Sequence, residues 1–576
     1  MADSGSGGNL NGEEVDEIPQ RDPNSDVDIS ESSSAESGNE TLTQENEMEF
    51  DSDDDIPLAD LRPLSDFQRW SSRIRKPHIN QFSQQTGPNL GDEPMELLDY
   101  FYLFFSEDFF STLADETNRY ARQEIEKKRS TRGKGDSTWE EQGETSAQEM
   151  KAFISTVINM GIDHKPQVED YRSTNERLRN GAISKAMTIN RWRKLNQYIH
   201  LSDNEKAPDE NDPNRDRLFK VRPLLDMCNR NFKNGKYLPS RDLSIDEAMI
   251  GFKGRCYMKM YLPGKPTKWG LKSWMLAEAK TGFCIHADIY TGTKAGQGVT
   301  EGLGYHVVMD LAQHISGKYH HLYFDNYFTS AKLMMDLLSI QTYSCGTVRN
   351  NRKGLPPGFN KKTGNQDRGT ISQWQKGDVL ATKWKDRKDV YLLSTACGDN
   401  VGEVSRRLGK TSTHVRCPEV VMTYNRFMGG VDLSDHLRSY YQIGKKARRY
   451  WKYNMWFLIE LCLINAWIVF HKANPQKKTV KFNQKDFCLA VCDALEAGYT
   501  SRKRRLSQTR PVLGVMNQEN IGHHKLVRVE GRKRVCRHCS RVGRKTQTGR
   551  RIESSFACDI CQVTLCQDRC FYEYHS

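Results

Sequence analysis

Long apolar runs are absent from this 576-residue sequence. The most apolar stretch, residues 456–470, is shorter than a membrane span and contains Glu460 and Asn465, so it predicts a buried helix. The first residues also lack the apolar region of a secretory signal. We therefore expect an intracellular protein that has no membrane partner.

Basic residues are almost missing from the first sixty positions, which contain 19 acidic residues and only Arg21. This segment carries a charge of −18, so the whole-chain charge of +11 leaves +29 on the remaining 516 residues. A basic body of this kind indicates a polyanionic partner. Residues 1–90 are also poor in aromatic residues, and we predict a disordered acidic tail there.

The periodicity of apolar residues divides the remainder into segments and predicts a multidomain α+β protein. Residues 91–240 and 441–500 show helical patterns, with a charged loop over 120–145, and predict one α-helical dimerisation and DNA-binding domain that is split by another domain. Between these two segments the periodicity predicts strands at 241–247, 256–262, 270–279, 283–291, 320–325 and 342–348 and helices at 299–316 and 329–339. A β-rich insertion at 348–420 and a helix within 421–440 follow. The strand and helix order of residues 241–347 fits an RNase H-like core.

Acidic residues stand at the ends of two predicted strands and on one predicted helix. Asp246 ends the strand 241–247, Asp325 ends the strand 320–325, and Asp432 and Asp435 are spaced to share one helix face. Carboxylate oxygens are the ligands that Mg²⁺ prefers, and two such ions can promote phosphoryl transfer. The alternative for any single strand-end aspartate is a turn or capping role.

The motifs around these acids resemble those of one family. Ser244-Ile245-Asp246-Glu247, Tyr323-Phe324-Asp325-Asn326-Tyr327-Phe328 and Met428-Gly429-Gly430-Val431-Asp432-Leu433-Ser434-Asp435 are similar, in this order, to the three acidic motifs of piggyBac-type transposases. The segment from Gly346 to Gly354 and the C-terminal cysteine array are similar as well. The resemblance runs from about residue 95 to the end.

The resemblance implies a cut-and-paste DNA transposase. Asp246, Asp325 and Asp432 would hold two Mg²⁺ ions, which Mn²⁺ could replace, and Asp435 would assist. The expected partner is double-stranded DNA, as transposon terminal repeats and a TTAA target, with 3′-OH formation, a hairpin intermediate and seamless excision. We also expect a homodimer.

Basic residues lie near these motifs in the sequence and are candidate DNA contacts, because lysine and arginine neutralise phosphates and an aromatic ring can stack on an unpaired base. The alternative for each cluster is an ordinary solvated face, and Trp451 is also a candidate core residue. The candidates are Lys265, Lys268, Lys272, Arg349, Arg352, Lys353, Arg448, Arg449 and Trp451.

The C-terminal residues 531–576 contain cysteines at metal-binding spacing. The predicted ligands of two structural Zn²⁺ ions are Cys536, Cys539, Cys558, Cys561, Cys566, Cys570 and His575, in a cross-brace finger where alternate pairs share a metal. Two full sites need eight ligands, and His538 is the candidate for the eighth. Basic residues around the array favour nucleic acid as its partner.

Two rival functions stay open at this point. A domesticated relative would bind DNA without transposing, and a RING- or PHD-type adaptor would act through the finger alone. Residues 501–530 are predicted to be a basic linker, in which Arg502-Lys503-Arg504-Arg505 is a candidate nuclear-import signal and an exposed charge run is the alternative. We expect a nuclear protein.

Overall fold

The structure is a computed structural model. It describes residues 69–133, 135–209, 212, 215–265, 267–292, 301–364, 366–408, 411–444, 447–475, 482–501, 524–529, 531–567 and 569–575. The chain divides into two compact units, Met1–Arg502 and Lys503–Ser576. The predicted tail up to residue 68 and most of the predicted linker, including its candidate import signal, lie outside the described residues.

The larger unit contains helices at both ends of the chain and strands between them. Its strands are β1 (Gly87–Pro88), β2 (Tyr237–Leu238), β3 (Asp242–Gly251), β4 (Met260–Tyr261), β5 (Trp269–Glu278), β6 (Cys284–Ile289), β7 (His321–Phe324), β8 (Tyr343–Thr347), β9 (Ile371–Lys376), β10 (Val379–Lys385), β11 (Asp389–Ser394), β12 (Val401–Leu408) and β13 (Thr411–Pro418). Its helices are α1 (Leu97–Tyr102), α2 (Phe109–Arg132), α3 (Ser137–Gln142), α4 (Ala147–Ile162), α5 (Gly181–Ala186), α6 (Ile189–Tyr198), α7 (Arg222–Phe232), α8 (Leu303–Ala312), α9 (Ala331–Ser339), α10 (Glu419–Phe427), α11 (Gly430–Tyr440), α12 (Tyr450–Ala473) and α13 (Gln484–Glu496).

The smaller unit consists of short strands and helices around its cysteines. Its strands are β14 (Leu526–Arg528), β15 (Arg534–Val535), β16 (Glu553–Ser554) and β17 (Phe556–Cys558), and its helices are α14 (Arg537–Arg541) and α15 (Arg569–His575).

One sheet organises the larger unit. Its strand order is β4-β5-β3-β7-β8-β11-β10-β9, and β6 pairs with β5. The pair β3–β5 is antiparallel, whereas β3–β7 and β7–β8 are parallel. Nine of the ten residues of β3 are buried, as expected for a strand covered on both faces. The strand that carries Asp246 therefore lies in the middle of the sheet.

The predicted β-rich insertion is not a separate body in the structure. Three of its strands, β9, β10 and β11, continue the main sheet because β11 pairs antiparallel with the free edge of β8. Only β12 and β13 form a hairpin of their own. The residues between β8 and β9 therefore begin and end in the same sheet.

The long apolar helix α12 is the core of the larger unit. It is the one helix among the described residues that is long and apolar enough to cross a membrane, but 94% of its apolar window is buried inside the protein, as in an ordinary core helix. The polar residue Asn465 in this apolar helix has a structural role: its side chain accepts a hydrogen bond from the Cys284 N–H at 2.9 Å and donates one to the Cys284 carbonyl at 2.8 Å. Helix α12 therefore supplies hydrogen-bond partners to the backbone at the start of β6.

Several predicted boundaries differ from the structure. Helix α2 runs on to Arg132 through the predicted charged loop, because Tyr120, Ala121 and Ile125 bury one face of it while charged side chains occupy the other. The predicted strand 256–262 shortens to Met260–Tyr261.

The body also begins earlier than predicted. Residues 69–90 are not part of a detached tail, because the Trp70 indole N–H donates to the Gly354 carbonyl at 3.0 Å and the Asn80 N–H donates to the Tyr343 hydroxyl at 2.8 Å. Within this segment β1 pairs with β2. Residues 69–90 therefore belong to the folded body, and the predicted boundary at residue 91 is wrong.

Candidate active site and candidate zinc centre

Strand register brings the first two acidic residues together. Ser244 of β3 lies opposite Tyr323 of β7 in parallel pairing, so continuing this register by two residues places Asp246 beside Asp325. Neighbouring strands are about 4.8 Å apart. The Asp325 carboxylate accepts a hydrogen bond from the Tyr327 N–H at 2.9 Å, which orients it at the end of its strand.

Helix α11 delivers the third carboxylate because its first turn packs directly on β3. The Val431 N–H donates to Ser244 Oγ at 3.2 Å. A side chain at Gly430 would place its Cβ 2.5 Å from that same oxygen and 2.8 Å from the Glu278 carbonyl, so only glycine allows this approach. Gly430 therefore lets α11 dock closely on β3, which places Asp432, in the first turn of this helix, near the end of the site formed by β3 and β7.

The three carboxylates influence each other electrostatically. Burial raises the pKa of Asp246 well above its usual value, Lys265 opposes the shift, and the charges of Glu247, Asp325 and Asp432 raise the pKa further. The Lys265 ammonium lies 3.8 Å from carboxylate oxygens of both Asp246 and Glu247. Such crowding of like charges favours a bound cation.

Asp435 forms an ion pair with the buried Arg438. Burial raises its pKa, and Arg438, 3.2 Å away, opposes that rise. The same guanidinium lies 2.9 Å from Glu460 of α12, whose other carboxylate oxygen accepts the Ile443 N–H at 2.7 Å. Asp435 is thus held in an ion-pair chain that joins α11 to the core helix.

We expect Glu460→Ala to destabilise the larger unit strongly. Removing one partner leaves the Arg438 cation, 8% exposed, with Asp435 as its remaining counter-ion, and breaking a buried pair costs about 3–5 kcal/mol. Thermal unfolding would show a fall in Tm of several degrees. The double variant Arg438→Met/Glu460→Leu removes both charges and should recover much of the loss; a single variant as stable as wild type would contradict the ion-pair role.

The residues predicted as basic DNA contacts differ in their exposure to solvent. Lys265 and Lys272 face the acidic site rather than open solvent: Lys272, 6% exposed, lies 3.9 Å from Glu247 and over the Trp274 ring. Lys268 is exposed. Lys272 is therefore placed to neutralise Glu247, and its role as a DNA contact stays a prediction.

Arginines after β8 surround the loop that follows Asp325. Arg349 is exposed and donates to the Asn326 side chain, whereas Arg352 donates to the Asn326 and Tyr327 carbonyl oxygens at 2.9 and 2.7 Å. Arg352 thereby fixes the backbone beside Asp325. Lys353 is exposed.

The predicted aromatic base contact is wrong for this structure. Trp451 is 2% exposed and packs edge-on against His200, so it belongs to the core at the start of α12. Arg448 and Arg449 are exposed, and Arg449 donates to the Tyr120 hydroxyl at 2.8 Å. Basic side chains are therefore available at the start of α12, but the tryptophan that follows them is not.

The smaller unit contains two compact clusters of cysteine and histidine side chains. One consists of Cys536, Cys539, Cys566 and Cys570, and the other of His524, Cys558, Cys561 and His575. Within each cluster the ligand atoms lie within 4.8 Å of one another. Tetrahedral zinc with bonds of about 2.3 Å to sulfur separates its ligands by about 3.8 Å, so both clusters fit Zn²⁺. The pairs alternate along the chain, as predicted for a cross-brace.

His524 completes the second cluster, and His538 as the eighth ligand is wrong. His524 Nδ1 lies 3.3 Å from the sulfurs of both Cys558 and Cys561. His538 instead places Nε2 2.9 Å from Glu573. His575 Nδ1 lies 2.8 Å from the Phe571 carbonyl oxygen, which can only accept, so Nε2 remains free to bind metal. The ordered finger therefore begins before residue 531.

This ligand assignment predicts the zinc content of two histidine variants. His524→Ala should lose one of two zinc ions per chain, because only three ligands remain in its cluster. His538→Ala, which makes the same change within the finger, should keep both ions. Zinc measured in purified full-length protein by mass spectrometry distinguishes the two, and one ion lost from His538→Ala alone would restore the sequence-based assignment.

Comparisons with known proteins agree with this geometry. Residues 98–467 match the family model described as Transposase IS4, and residues 519–576 match that of a DDE_Tnp_1-like zinc finger. The chain is 26% identical over 447 residues to human PiggyBac transposable element-derived protein 3, covering 75% of this chain and 70% of that protein. It is 28% identical over 422 residues to human PiggyBac transposable element-derived protein 2, covering 71% and 65%.

A solved structure is similar as well. The piggyBac transposase in a cryo-EM synaptic complex with hairpin DNA has a TM-score of 0.64 and 25% identity, covering 84% of this chain and 99% of that one. The matched models define a transposase with a zinc finger. The chain belongs to the piggyBac-type transposase family.

Proposed function

We propose that this protein cleaves and joins DNA as a cut-and-paste transposase. The observation that carries the proposal is the convergence of Asp246, Asp325 and Asp432 from two adjacent parallel strands and a helix packed on them. The strand order β6-β5-β3-β7-β8, with β5 antiparallel and the last two parallel to β3, supports an RNase H-like core. Terminal-repeat ends, a hairpin intermediate and TTAA insertion are part of the proposal.

The residues present fit a divalent metal. Burial, with the charges of Glu247, Asp325 and Asp432 added to it, raises the pKa of Asp246, and a shared cation would offset both effects. Asp246, Asp325 and Asp432 would hold it, with Asp435 assisting from its ion pair with Arg438. Bound Mg²⁺ or Mn²⁺ would supply Lewis-acid stabilisation of phosphate charge and would activate water or a 3′-OH as nucleophile.

The chain's own residues orient this site. Arg352 holds the backbone after Asp325, and Gly430 lets α11 approach β3 closely enough to present Asp432. The exposed Lys268, Arg349, Lys353 and Arg448 would receive DNA phosphates, which positions the strand without reading its sequence. We further propose that the finger recognises element ends and that the protein acts in the nucleus as a homodimer.

Excision from a reporter that carries the element's own ends tests this function. The expected products are an excised element with hairpin ends and a broken donor that repair rejoins to a restored TTAA. DNA binding with no cleavage in Mg²⁺ or Mn²⁺ would favour the domesticated DNA-binding alternative. Self-ubiquitination with a ubiquitin-conjugating enzyme and no DNA binding would favour the adaptor.

A further inference from the structure

Two lysines serve the acidic site in different ways. Lys272 extends from the central strand β5, is buried and rests on the Trp274 ring at 4.1 Å. Lys265 instead extends from a turn between β4 and β5 whose residues Pro263 and Gly264 are exposed. A lysine on a surface turn has a flexible stem that can change partners, whereas Lys272 is fixed by its packing.

Lys265 is the cation that the acidic residues surround. Its ammonium lies 3.8 Å from Asp246 and 3.8 Å from Glu247, and 3.5 Å from the Glu247 carbonyl oxygen. Although burial alone disfavours its charge, Asp246, Glu247, Asp432 and Asp435 together raise its pKa. The Lys265 ammonium therefore contacts Asp246, an acidic residue of the proposed metal site, and the adjacent Glu247.

We propose that Lys265 is a built-in counter-cation that neutralises the acidic site before metal binds and competes with the metal for it. This inference rests on the proposed function. When a divalent ion enters, repulsion between the two cations moves the Lys265 ammonium away from Asp246, and the flexible stem lets it reach a DNA phosphate instead. Lys265 is thus a positioning residue that sets metal affinity and couples metal binding to DNA binding.

Mn²⁺ titration without DNA tests the competition directly. Free Mn²⁺ is measured by electron paramagnetic resonance in zinc-loaded full-length protein. Lys265→Met removes the competing charge and should tighten Mn²⁺ binding by about tenfold, since each tenfold corresponds to only about 1.4 kcal/mol and close charges interact by more. Lys265→Arg keeps the charge and should bind like wild type.

Lys253→Met is the matched control, because it removes the same charge from an exposed position just after β3 that has no part in the proposed DNA contacts. It should change Mn²⁺ affinity by less than about twofold, since solvent screens distant charges. A second readout is thermal stability: Lys265→Met should lower Tm in Mn²⁺-free buffer and regain it when Mn²⁺ is added. A purely structural role would lower Tm without this recovery.

The outcomes separate this inference from the function on which it depends. One outcome overturns the counter-cation role alone: Lys265→Met binds Mn²⁺ as weakly as wild type or more weakly, and the single variant Asp246→Asn does not bind Mn²⁺. If Asp246→Asn leaves Mn²⁺ binding unchanged in both backgrounds, or if neither wild type nor Lys265→Met binds Mn²⁺, the metal site of the proposed function fails as well. Tighter binding in Lys265→Met that Asp246→Asn removes supports both.

Discussion

Asp246→Asn should abolish DNA cleavage and at the same time make the metal-free protein more stable. Cleavage is lost because asparagine replaces a carboxylate of the proposed metal site with a neutral amide. DNA binding should persist, because the exposed basic residues are unchanged. A gel shift and a cleavage assay on the same DNA separate these effects.

The stability gain follows from the direction of the pKa shift. Burial and neighbouring carboxylates raise the pKa of Asp246 in the folded protein, so its ionised form destabilises the fold above the carboxyl's unfolded pKa of about 4. The variant's Tm should therefore exceed that of wild type at pH 7 in Mg²⁺-free buffer. The difference should shrink as pH falls towards 4, where wild-type Asp246 is also neutral.

Asp226→Asn is the control for this pair of effects. Asp226 is on α7, and its side chain is 57% exposed, so the same chemical change should leave cleavage and Tm close to wild type. Residual cleavage in Asp246→Asn comparable to wild type would remove Asp246 from the metal site. A lower Tm at pH 7 would mean that its contact with Lys265 outweighs the repulsion.

Cys558→Ser should unfold the finger while the larger unit keeps its fold and its chemistry. Cys558 belongs to the cluster with His524, Cys561 and His575, and structural zinc contributes about 10–16 kcal/mol of apparent binding free energy that is also folding free energy. Loss of zinc, together with protease sensitivity confined to the C-terminal residues, would show the unfolding. Metal-dependent nicking of generic DNA should survive because the acidic residues belong to the other compact unit.

Selective binding to the element's ends should fail in this variant if the finger reads them. Gel shifts with terminal-repeat and scrambled DNA, at one fixed salt concentration, compare wild type with Cys558→Ser. Cys256→Ser, a cysteine outside both clusters, controls for loss of a thiol. Equal loss on both DNAs would make the finger a nonspecific clamp, and no loss on either would indicate a protein partner.

Local sequence patterns predict only part of the placement of the acidic residues. Asp325 directly follows β7, as the short apolar run predicts. The prediction that Asp246 ends its strand is wrong, because β3 runs on to Gly251 and Asp246 lies in its middle. The sheet extends further than predicted because β11 pairs with β8 instead of forming a separate layer. This pairing depends on which strand edge is free in the folded protein, and no local sequence pattern identifies a free edge.

The errors in the predicted site have the same origin. Adjacency in the sequence predicts a shared basic surface, but burial depends on tertiary packing, which turns Lys272 and Trp451 inward. The spacing rules for a finger do not reach His524, because it stands 12 residues before the first cysteine. Glu460 did carry a signal, since a carboxylate in an apolar helix requires a buried partner, but the sequence could not name Arg438.

The dispersal of the active site along the chain has a consequence during protein synthesis. Asp246 and Asp325 reach their strands long before the ribosome has made Gly430 and the helix it begins, and the core helix α12 follows later still. Chains that stop before residue 429 therefore lack both the third carboxylate and the main apolar core element. We expect prematurely terminated products to be unfolded and unable to cut DNA, so a cell translating this message is exposed to nuclease activity only from nearly complete chains.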